Sequence, residues 1–548
     1  MKKEKKPIER RATKMGDRIK IEFSFNKRDL EGVRYLPGRK FNYEGGKYWT
    51  CNCTSQAVEA LQFWGFILDD ELISLLPQLN KPIRRKFNAI DVPGLQQELY
   101  PFQKEGVGFI ESRNGRALVG DDMGLGKTMQ ALGWLQLHPE LRPAIVVVPA
   151  TVKLLWQEKA LEWMDKPSIQ VLSGTTPTDV SEATDIIIIN YDILPDWIDI
   201  LKEANPQVLV LDEVHYIKNN KALRTKAVKK LVKGIPHVIG LSGTPALSRP
   251  IELYNALRMI DRFSVPNYWV YAEKYCAAKW GPFGWKINGA SNTEELHQRL
   301  QSVMIRRRKK DVLQELPDKT YSSIPVEMTN SAEYARAVED TIGWIRENRG
   351  EDAADRAANA KAITQIEVLK QIAVKGKMVQ AMEWIENFID INGKLVVFAV
   401  HKFVIDLLME KFKGKVVKID GSVSQEQRNK AVTEFQTNDK IRLFVGNIKA
   451  AGIGITLTAA SDVLFLELPW TPGELVQAED RCHRIGQKNN VGVYYLLAAG
   501  TVEEMIAKLI DSKRKVLDAV LDGKTTESTS LLSELLIQMK EERRWKYK

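Results

Sequence analysis

Two stretches of the chain repeat one alternation, a short run of Val, Ile and Leu followed by a longer segment with helical periodicity. In the first, Ala117–Val119, Ala144–Val148, Ile186–Ile189, Val208–Leu211 and Val238–Leu241 are apolar almost throughout. Strands buried on both faces of a parallel sheet read this way. In the second, Leu395–Val400, Val416–Ile419, Leu443–Val445, Val463–Leu466 and Val491–Leu497 do the same. Strands alternating with helices predict right-handed crossovers and parallel pairing, so the expected fold is α/β, with two parallel-sheet lobes in tandem. Functional residues of such a sheet gather beyond the C-terminal ends of its strands. The polar words of the first lobe stand there: GLGKT, PATVKLLWQ, NYD, DEVH and SGTP.

The remaining chain follows other patterns. IEFSF alternates as a strand does, LPGRKFNYEGGKYWTCNC reads as a hairpin turning at Glu44-Gly45-Gly46, and SQAVEALQFWGF reads as an amphipathic helix. Together they predict a small α+β module over residues 21–90. Arg39, Lys40, Tyr43, Lys47, Tyr48 and Trp49 interleave cations with aromatics on that hairpin. The interleaving suits contact with nucleic acid, and equally suits the core and solvated face of a small domain. The first lobe is expected over 95–317, with an aromatic-rich, mostly helical insertion at 246–317. A charge-dense helical connector at 318–377 leads to the second lobe at 378–500, and a helical brace and tail fill 501–548.

At 548 residues the chain calls for several domains, and no run of eighteen apolar residues crosses it. The basic start has no apolar segment behind it, unlike a secretory signal. Cys51, Cys53, Cys276 and Cys482 are too few and scattered for a disulfide framework or a structural zinc site, which fits a reducing compartment. Lys and Arg number 80 against 70 acidic residues, a net charge of +10. Residues 1–20 alone hold nine basic and three acidic side chains and read as a flexible basic arm, either solubilising or DNA-contacting. The run Arg306-Arg307-Arg308-Lys309-Lys310 reads as a solvated helix end or as a phosphate-binding patch.

ALVGDDMGLGKT, residues 117–128, ends a strand in a glycine-rich turn that closes on Lys-Thr. Gly124 and Gly126 permit close backbone approach to phosphate, Lys127 reaches the β- and γ-phosphates, and the Thr128 hydroxyl ligates Mg²⁺. A helix from Met129 adds the positive end of its dipole. The general pattern begins with glycine, where this chain has Asp121. Asp212 and Glu213 follow a buried strand 85 residues beyond Lys127, the place of a metal-holding Asp and a general base. Loop and acidic pair together imply nucleoside triphosphate hydrolysis. Arg481 and Arg484, spaced to share one helix face, are the candidate arginine fingers from the second lobe.

The ordered set LYPFQKEGV, DDMGLGKT, VVVPATVKLLWQEKALEW, INYDIL, LDEVH, LSGTP, VFAVHKFVIDLL, IDGSVSQEQR and AAGIGITLTAASDVLFLELPWTPGELVQAEDRCHRIGQ resembles the Swi/Snf-family motor of helicase superfamily two, over roughly residues 95–515. Asp121 is itself typical of that family. LSGTPALSRPIELY, KYCAAKWGPFGWKINGASNTEEL and AEDRCHRIGQ resemble its annealing-helicase, HepA-related branch, and LPGRKFNYEGGKYW resembles the HARP domain that accompanies that motor.

The resemblance implies RecA-like lobes, with ATP and Mg²⁺ as cofactors. It implies that Gln103 reads adenine, with Pro101 and Phe102 shaping the pocket. Gly124, Leu125, Gly126, Lys127, Thr128 and Met129 would cradle the nucleotide, Thr128 and Asp212 would hold Mg²⁺, and Gln477, Arg481 and Arg484 would complete the site. Ser242 and Thr244 would couple the nucleotide site to DNA. Pro149, Thr151, Asn190, Asn447, Gly452, Gly454, Thr456 and Trp470 would track duplex DNA, with Arg39, Lys40 and Trp49 contacting it from the module.

The function so implied is an ATP-dependent double-stranded DNA translocase acting on forked or branched DNA, an annealing helicase. A strand-separating DNA or RNA helicase and an ATP-switched protein-displacement factor are the alternatives. The expected partners are double-stranded and forked DNA, without membrane or structural zinc. The expected location is cytoplasmic and nucleoid-associated for a prokaryotic or viral source, nuclear for a eukaryotic one.

Overall fold

The computed structural model describes residues 10–25, 27–34, 36–43, 46–75, 87–247, 249–261, 265, 267–281, 284–287, 289–313, 315–347, 354–451 and 454–522. Near the N-terminus, β1 (Arg11–Met15), β2 (Arg18–Glu22), β3 (Lys40–Asn42), β4 (Tyr48–Asn52) and β5 (Ile67–Leu68) form a sheet in the order β3-β4-β2-β1-β5. Pairing is antiparallel except between β1 and β5. The expected flexible arm is therefore corrected from residue 10 onward. Ala12, Ile19 and Ile21 are fully buried, a period-two apolar stripe hidden between Arg and Lys. Residues 1–9, and Glu44 and Gly45 of the expected turn, lie outside the described residues. Cys51 on β4 is buried, and burial pushes its thiol up to about 12, so it behaves as a small apolar residue.

The next segment, 87–95, belongs to the first lobe instead of the module. The Phe87 ring lies 4.8 Å from that of Phe109, and the Ile90 amide donates to the Lys104 carbonyl at 3.2 Å. The lobe's strands are β6 (Arg116–Val119), β7 (Ala144–Val148), β8 (Ile169–Val171), β9 (Ile186–Asn190), β10 (Val208–Asp212) and β11 (His237–Leu241). After a separate hairpin of β12 (Lys279–Gly281) and β13 (Gly284–Lys286) comes β14 (Met304–Ile305). The sheet runs β14-β6-β11-β10-β7-β9-β8, parallel throughout. The five expected strands are present and buried. The two unexpected ones, β8 and β14, span only three and two residues, too short to leave an apolar run.

In the second lobe β15 (Lys319–Val326), β16 (Leu395–Ala399), β17 (Val416–Ile419), β18 (Leu443–Asn447), β19 (Asp462–Phe465) and β20 (Val491–Ala498) run β15-β20-β19-β16-β18-β17, again all parallel. β15 lies inside the stretch expected to be a helical connector. Its sequence, KTYSSIPV, is mostly exposed and carries a proline, as an edge strand can, so it shows no buried-strand pattern. The long helix Ala354–Asn392 runs on past residue 377 into the lobe. Lys377, wholly buried on it, donates to Glu503 Oε1 at 2.7 Å and to the Leu496 carbonyl at 2.7 Å. Glu503 begins the C-terminal helix Val502–Asp522; residues 523–548 lie outside the described part.

Candidate active site

Parallel pairing in the first lobe brings the ends of β6, β10 and β11 to one edge of the sheet. After β6 the chain turns through Gly124 (φ +87°) and Gly126 (φ +73°) into the helix Lys127–Leu137. A Cβ on Gly126 would stand 2.3 Å from Gln103 Nε2, so the turn tolerates no side chain there. No side chain caps that helix, which leaves its first amides for an external acceptor. Lys127 Nζ donates to the carbonyls of Asp121 (2.9 Å) and Asp122 (3.2 Å). Burial lowers its pKa, opposed by Glu213 and Asp121.

Asp121 is fully buried and is an anchor. It accepts from the Arg307 amide and Nε at 3.0 Å each, from a second guanidinium nitrogen at 2.5 Å, and from Gln130 Nε2 at 2.9 Å. The chain from Ile305 to Lys309 runs alongside the loop. The Gly120 amide donates to the Ile305 carbonyl (2.7 Å), the Asp122 amide to the Arg307 carbonyl (3.0 Å), Arg306 to the Gly120 carbonyl (2.9 Å), and the Lys309 amide to Asp122 Oδ2 (3.1 Å). The basic run is thus a strap holding the loop. Neither a solvated helix end nor an open phosphate patch describes it.

Asp212 ends β10. Its Oδ2 accepts from Trp156 Nε1 at 2.8 Å, and its carbonyl accepts from the Tyr191 hydroxyl at 2.6 Å. Burial and the adjacent Glu213 charge push its pKa up to about 6. Glu213 is nearly buried and adopts φ +49°, a left-handed conformation that is strained for a side chain of its size. The Ser242 hydroxyl donates to Glu213 Oε2 at 3.2 Å, and His215 Nδ1 lies 3.2 Å from the same oxygen. Although burial opposes its charge, His215, Lys127 and Arg481 hold Glu213 low, at about 2.

The second lobe faces this edge. The helix Pro472–Glu479 stops before Arg481, so the two arginines do not share a helix face as expected. They sit on the turn that follows and still converge. Arg481 and Arg484 both donate to the Ile455 carbonyl, at 3.2 and 2.8 Å, and Arg484 also donates to Thr456 Oγ1 at 2.9 Å. A guanidinium nitrogen of Arg481 lies 3.8 Å from Met123 Sδ, and a Cβ on Gly124 would be 3.4 Å from Arg484 Cγ. Both therefore line the glycine loop from across the cleft. Burial, then the neighbouring Arg484, lowers Arg481 to about 9. Among the described residues neither arginine forms an ion pair. A buried Arg481 and a half-buried Arg484, without an ion-pair partner among the described residues and beside a bare helix N-terminus, make a site for a polyanion.

Contacts between the lobes reach the acidic pair. Gln477 Nε2 donates to Thr244 Oγ1 at 2.8 Å, the Thr244 amide donates to Ser242 Oγ at 3.2 Å, and Ser242 bonds Glu213. Lys309 Nζ lies 3.0 Å from Asp480 Oδ1 and donates to the His483 carbonyl, joining the strap to the turn that carries the arginines. Sequence reasoning missed Trp156, Arg307 and Lys309. Trp156 stood in plain view within PATVKLLWQ. The other two were visible only as charge.

The remaining implied residues are distributed. Gln103 accepts from the Tyr100 amide (3.0 Å) and donates to the Leu125 carbonyl (3.1 Å), tying the helix Pro101–Ser112 to the loop. Phe102 lies under the Arg307 guanidinium at 5.5 Å. Thr128 and Met129 stand in the first turn of the helix that starts at Lys127. Pro149 and Thr151 follow β7, and Asn190 closes β9. A Cβ on Gly454 would stand 2.4 Å from Val152 Cγ1, so the lobes meet beside Thr151. Asn447 donates to the Val400 carbonyl at 2.8 Å, and Trp470 Nε1 donates to Glu367 at 2.5 Å. Gly452 lies outside the described residues. Arg39 and Lys40 are exposed on the separate N-terminal sheet, with Trp49 half-buried against Phe41 at 5.1 Å. Among the described residues no cluster of His, Cys, Asp and Glu could hold a metal by itself, and no helix is long and apolar enough to cross a membrane.

Residues 102–374 match the SNF2-related domain, and residues 380–486 match the helicase conserved C-terminal domain. The chain is 34% identical to the SWI/SNF-related matrix-associated actin-dependent regulator of chromatin subfamily A-like protein 1 homolog of Caenorhabditis elegans, over 92% of this chain and 75% of that one. It is 36% identical to the Xenopus tropicalis protein of the same description, over 84% of this chain and 50% of that one. Against the human DNA annealing helicase and endonuclease ZRANB3 the identity is 35%, over 82% of this chain and 43% of that one. The chain thus spans three quarters of the worm relative and half or less of the other two. A solved Sulfolobus solfataricus SWI2/SNF2 ATPase core in complex with dsDNA superposes with a TM-score of 0.40 at 27% identity, covering 80% of this chain and 96% of that one.

Proposed function

The chain belongs to the SNF2 family of helicase-like ATPases, and on that premise we propose that it is an ATP-dependent translocase on double-stranded DNA that acts at forked or branched sites and drives complementary strands together. The observation that carries the reading is the pair Arg481, buried, and Arg484, half-buried, without an ion-paired carboxylate among the described residues and lying from the second lobe against the glycine loop of the first. Such a site works only when the lobes close on a polyphosphate.

The residues present fit a nucleotide and Mg²⁺. Lys127 exchanges the carbonyls of Asp121 and Asp122 for phosphate oxygens, and the uncapped amides after Gly126 take the rest of the phosphate contact. Gln103, Leu125 and Met129 flank the base side. Thr128 and Asp212 would hold Mg²⁺, with Trp156 Nε1 and the Glu213 amide fixing the Asp212 carboxylate. Mg²⁺, when bound, neutralises charge building on the transferred phosphoryl group. Glu213, kept ionised by His215 and Lys127, accepts a hydrogen bond from the attacking water and orients it. Arg481 and Arg484 stabilise the equatorial oxygens. The relay Glu213-Ser242-Thr244-Gln477 reports the state of that site to the second lobe.

Pro149, Thr151 and Asn190 on one lobe, and Asn447, Gly452, Gly454, Thr456 and Trp470 on the other, are the proposed duplex contacts. A grip on phosphates makes affinity fall steeply with salt. Steady-state ATP hydrolysis measured with matched duplex, forked, single-stranded DNA and RNA, with Lys127→Ala as blank, tests the reading. Strong stimulation by duplex and forked DNA is expected. Stimulation by RNA or single strands alone overturns it.

A further inference from the structure

The insertion after β11 carries a surface that the nucleotide cleft does not use. In the β12–β13 hairpin Trp280 stands opposite Trp285, and Lys279 opposite Lys286. Trp280 is 71% exposed, Trp269 on the helix Tyr268–Tyr275 is 41% exposed and Trp285 is 39% exposed. The three rings touch in sequence: Trp280 and Trp285 lie 5.6 Å apart at 85°, Trp285 and Trp269 5.2 Å apart at 40°. The Trp280–Trp285 contact is edge-to-face and the Trp285–Trp269 contact tilted, and all three rings keep solvent-exposed surface.

Both halves of the arrangement are costly for an isolated protein. Large exposed aromatic groups in contact mark binding surfaces, and like charges directly opposite across a hairpin repel. Both costs are relieved by one kind of occupant, a ligand that brings flat apolar faces and negative charge together. Unpaired nucleotides have that composition. Paired DNA offers the phosphates but keeps its base faces stacked inside, so the aromatic half of the surface would gain nothing from a duplex.

We propose that the Trp269, Trp280 and Trp285 cluster, flanked by Lys279 and Lys286, receives unpaired nucleotides at the junction of a fork, stacking on their bases while the lysines face their phosphates. The proposal rests on the translocase reading above and assigns to the motor lobe an element, beside the N-terminal module, that helps tell a fork from plain duplex. Stacking on one or two bases gives a preference of about tenfold or more.

The test uses the full chain with Trp280→Ala and Trp285→Ala together, and reads the DNA concentration for half-maximal ATP hydrolysis on a blunt duplex and on a fork with one unpaired arm. The fork advantage is expected to fall about tenfold, with the duplex value within twofold of the unaltered protein. The pair Trp280→Phe and Trp285→Phe keeps stacking faces and should keep most of the advantage, whereas Lys279→Glu with Lys286→Glu should lose it. An alanine variant that prefers forks as strongly as before overturns the proposal. Equal loss on fork and duplex also overturns it, because the hairpin would then serve the fold or the duplex grip. Failure of the translocase reading would appear separately, as absence of DNA stimulation in the unaltered protein.

Discussion

Asp121 stands where the general phosphate-loop pattern has glycine, and the reason lies 186 residues away in Arg307. A buried carboxylate needs a cation and full hydrogen bonding, and Arg307 with Gln130 supplies both. Glu213 shows the same economy of placement. Its left-handed backbone turns the carboxylate toward Ser242 and His215, and the cations around it keep it charged. Glu213→Gln keeps the shape and removes the charge, so nucleotide binding should persist while hydrolysis falls by about a thousandfold, the scale of a lost catalytic base. Arg484→Ala should lower turnover far more than nucleotide affinity, because among the described residues its guanidinium donates to one carbonyl and one hydroxyl. Single-turnover hydrolysis beside fluorescent-nucleotide binding separates the two effects. Normal hydrolysis in either variant would refute these roles.

Among the elements, the strap from β14 to Lys309 has the largest consequence for so short a segment. Its backbone extends the first lobe's sheet along the phosphate loop, and its last side chain enters the second lobe. Lys309 is buried among Asp480, Asp122, Lys319 and His483; burial lowers its pKa to about 8. Below that pH it carries the charge that Asp480 and the His483 carbonyl receive, and above it the bond to the arginine-bearing turn weakens. ATP turnover is therefore expected to fall as pH rises through about 8. Lys309→Met should reduce kcat about tenfold with KM nearly unchanged, the equivalent of one charge-assisted hydrogen bond. Lys309→Arg should remove the alkaline fall. A pH-rate profile that is flat from 7 to 9 in the unaltered protein would sink this account. The strap was legible only as charge in the sequence, because its two strand residues leave no period and its ion pairs join distant positions.

The whole molecule divides into a motor of two parallel sheets and a small N-terminal sheet. Residues 87–95 pack with the motor, so a cut after residue 86 leaves them with it. Loss of residues 1–86 is expected to spare DNA-stimulated ATP hydrolysis and to weaken discrimination of forks, compared directly in fork and duplex titrations. If the shortened protein discriminates equally well, the module does not recognise DNA. The lobes themselves were written in the chain, since a strand buried on both faces must be apolar at every position, as in Ile186–Ile189 and Leu443–Val445. So were Lys127, Asp212 and Glu213, whose chemistry depends on local spacing after a strand. Other strands escaped: β15, at the edge of its sheet, is exposed at most of its positions, and β1 and β2 hide Ala12, Ile19 and Ile21 among charges. Local sequence thus determined the two sheets, the phosphate loop and the acidic pair, because periodicity and short-range geometry are properties of neighbouring residues. Tertiary structure alone decided that Arg307 anchors Asp121, that Lys309 reaches Asp480, and that Arg481 and Arg484 meet the glycine loop from a turn instead of a helix. Those contacts join positions more than 150 residues apart, and only the pairing of β14 with β6 and the approach of the second lobe to the first bring such side chains together.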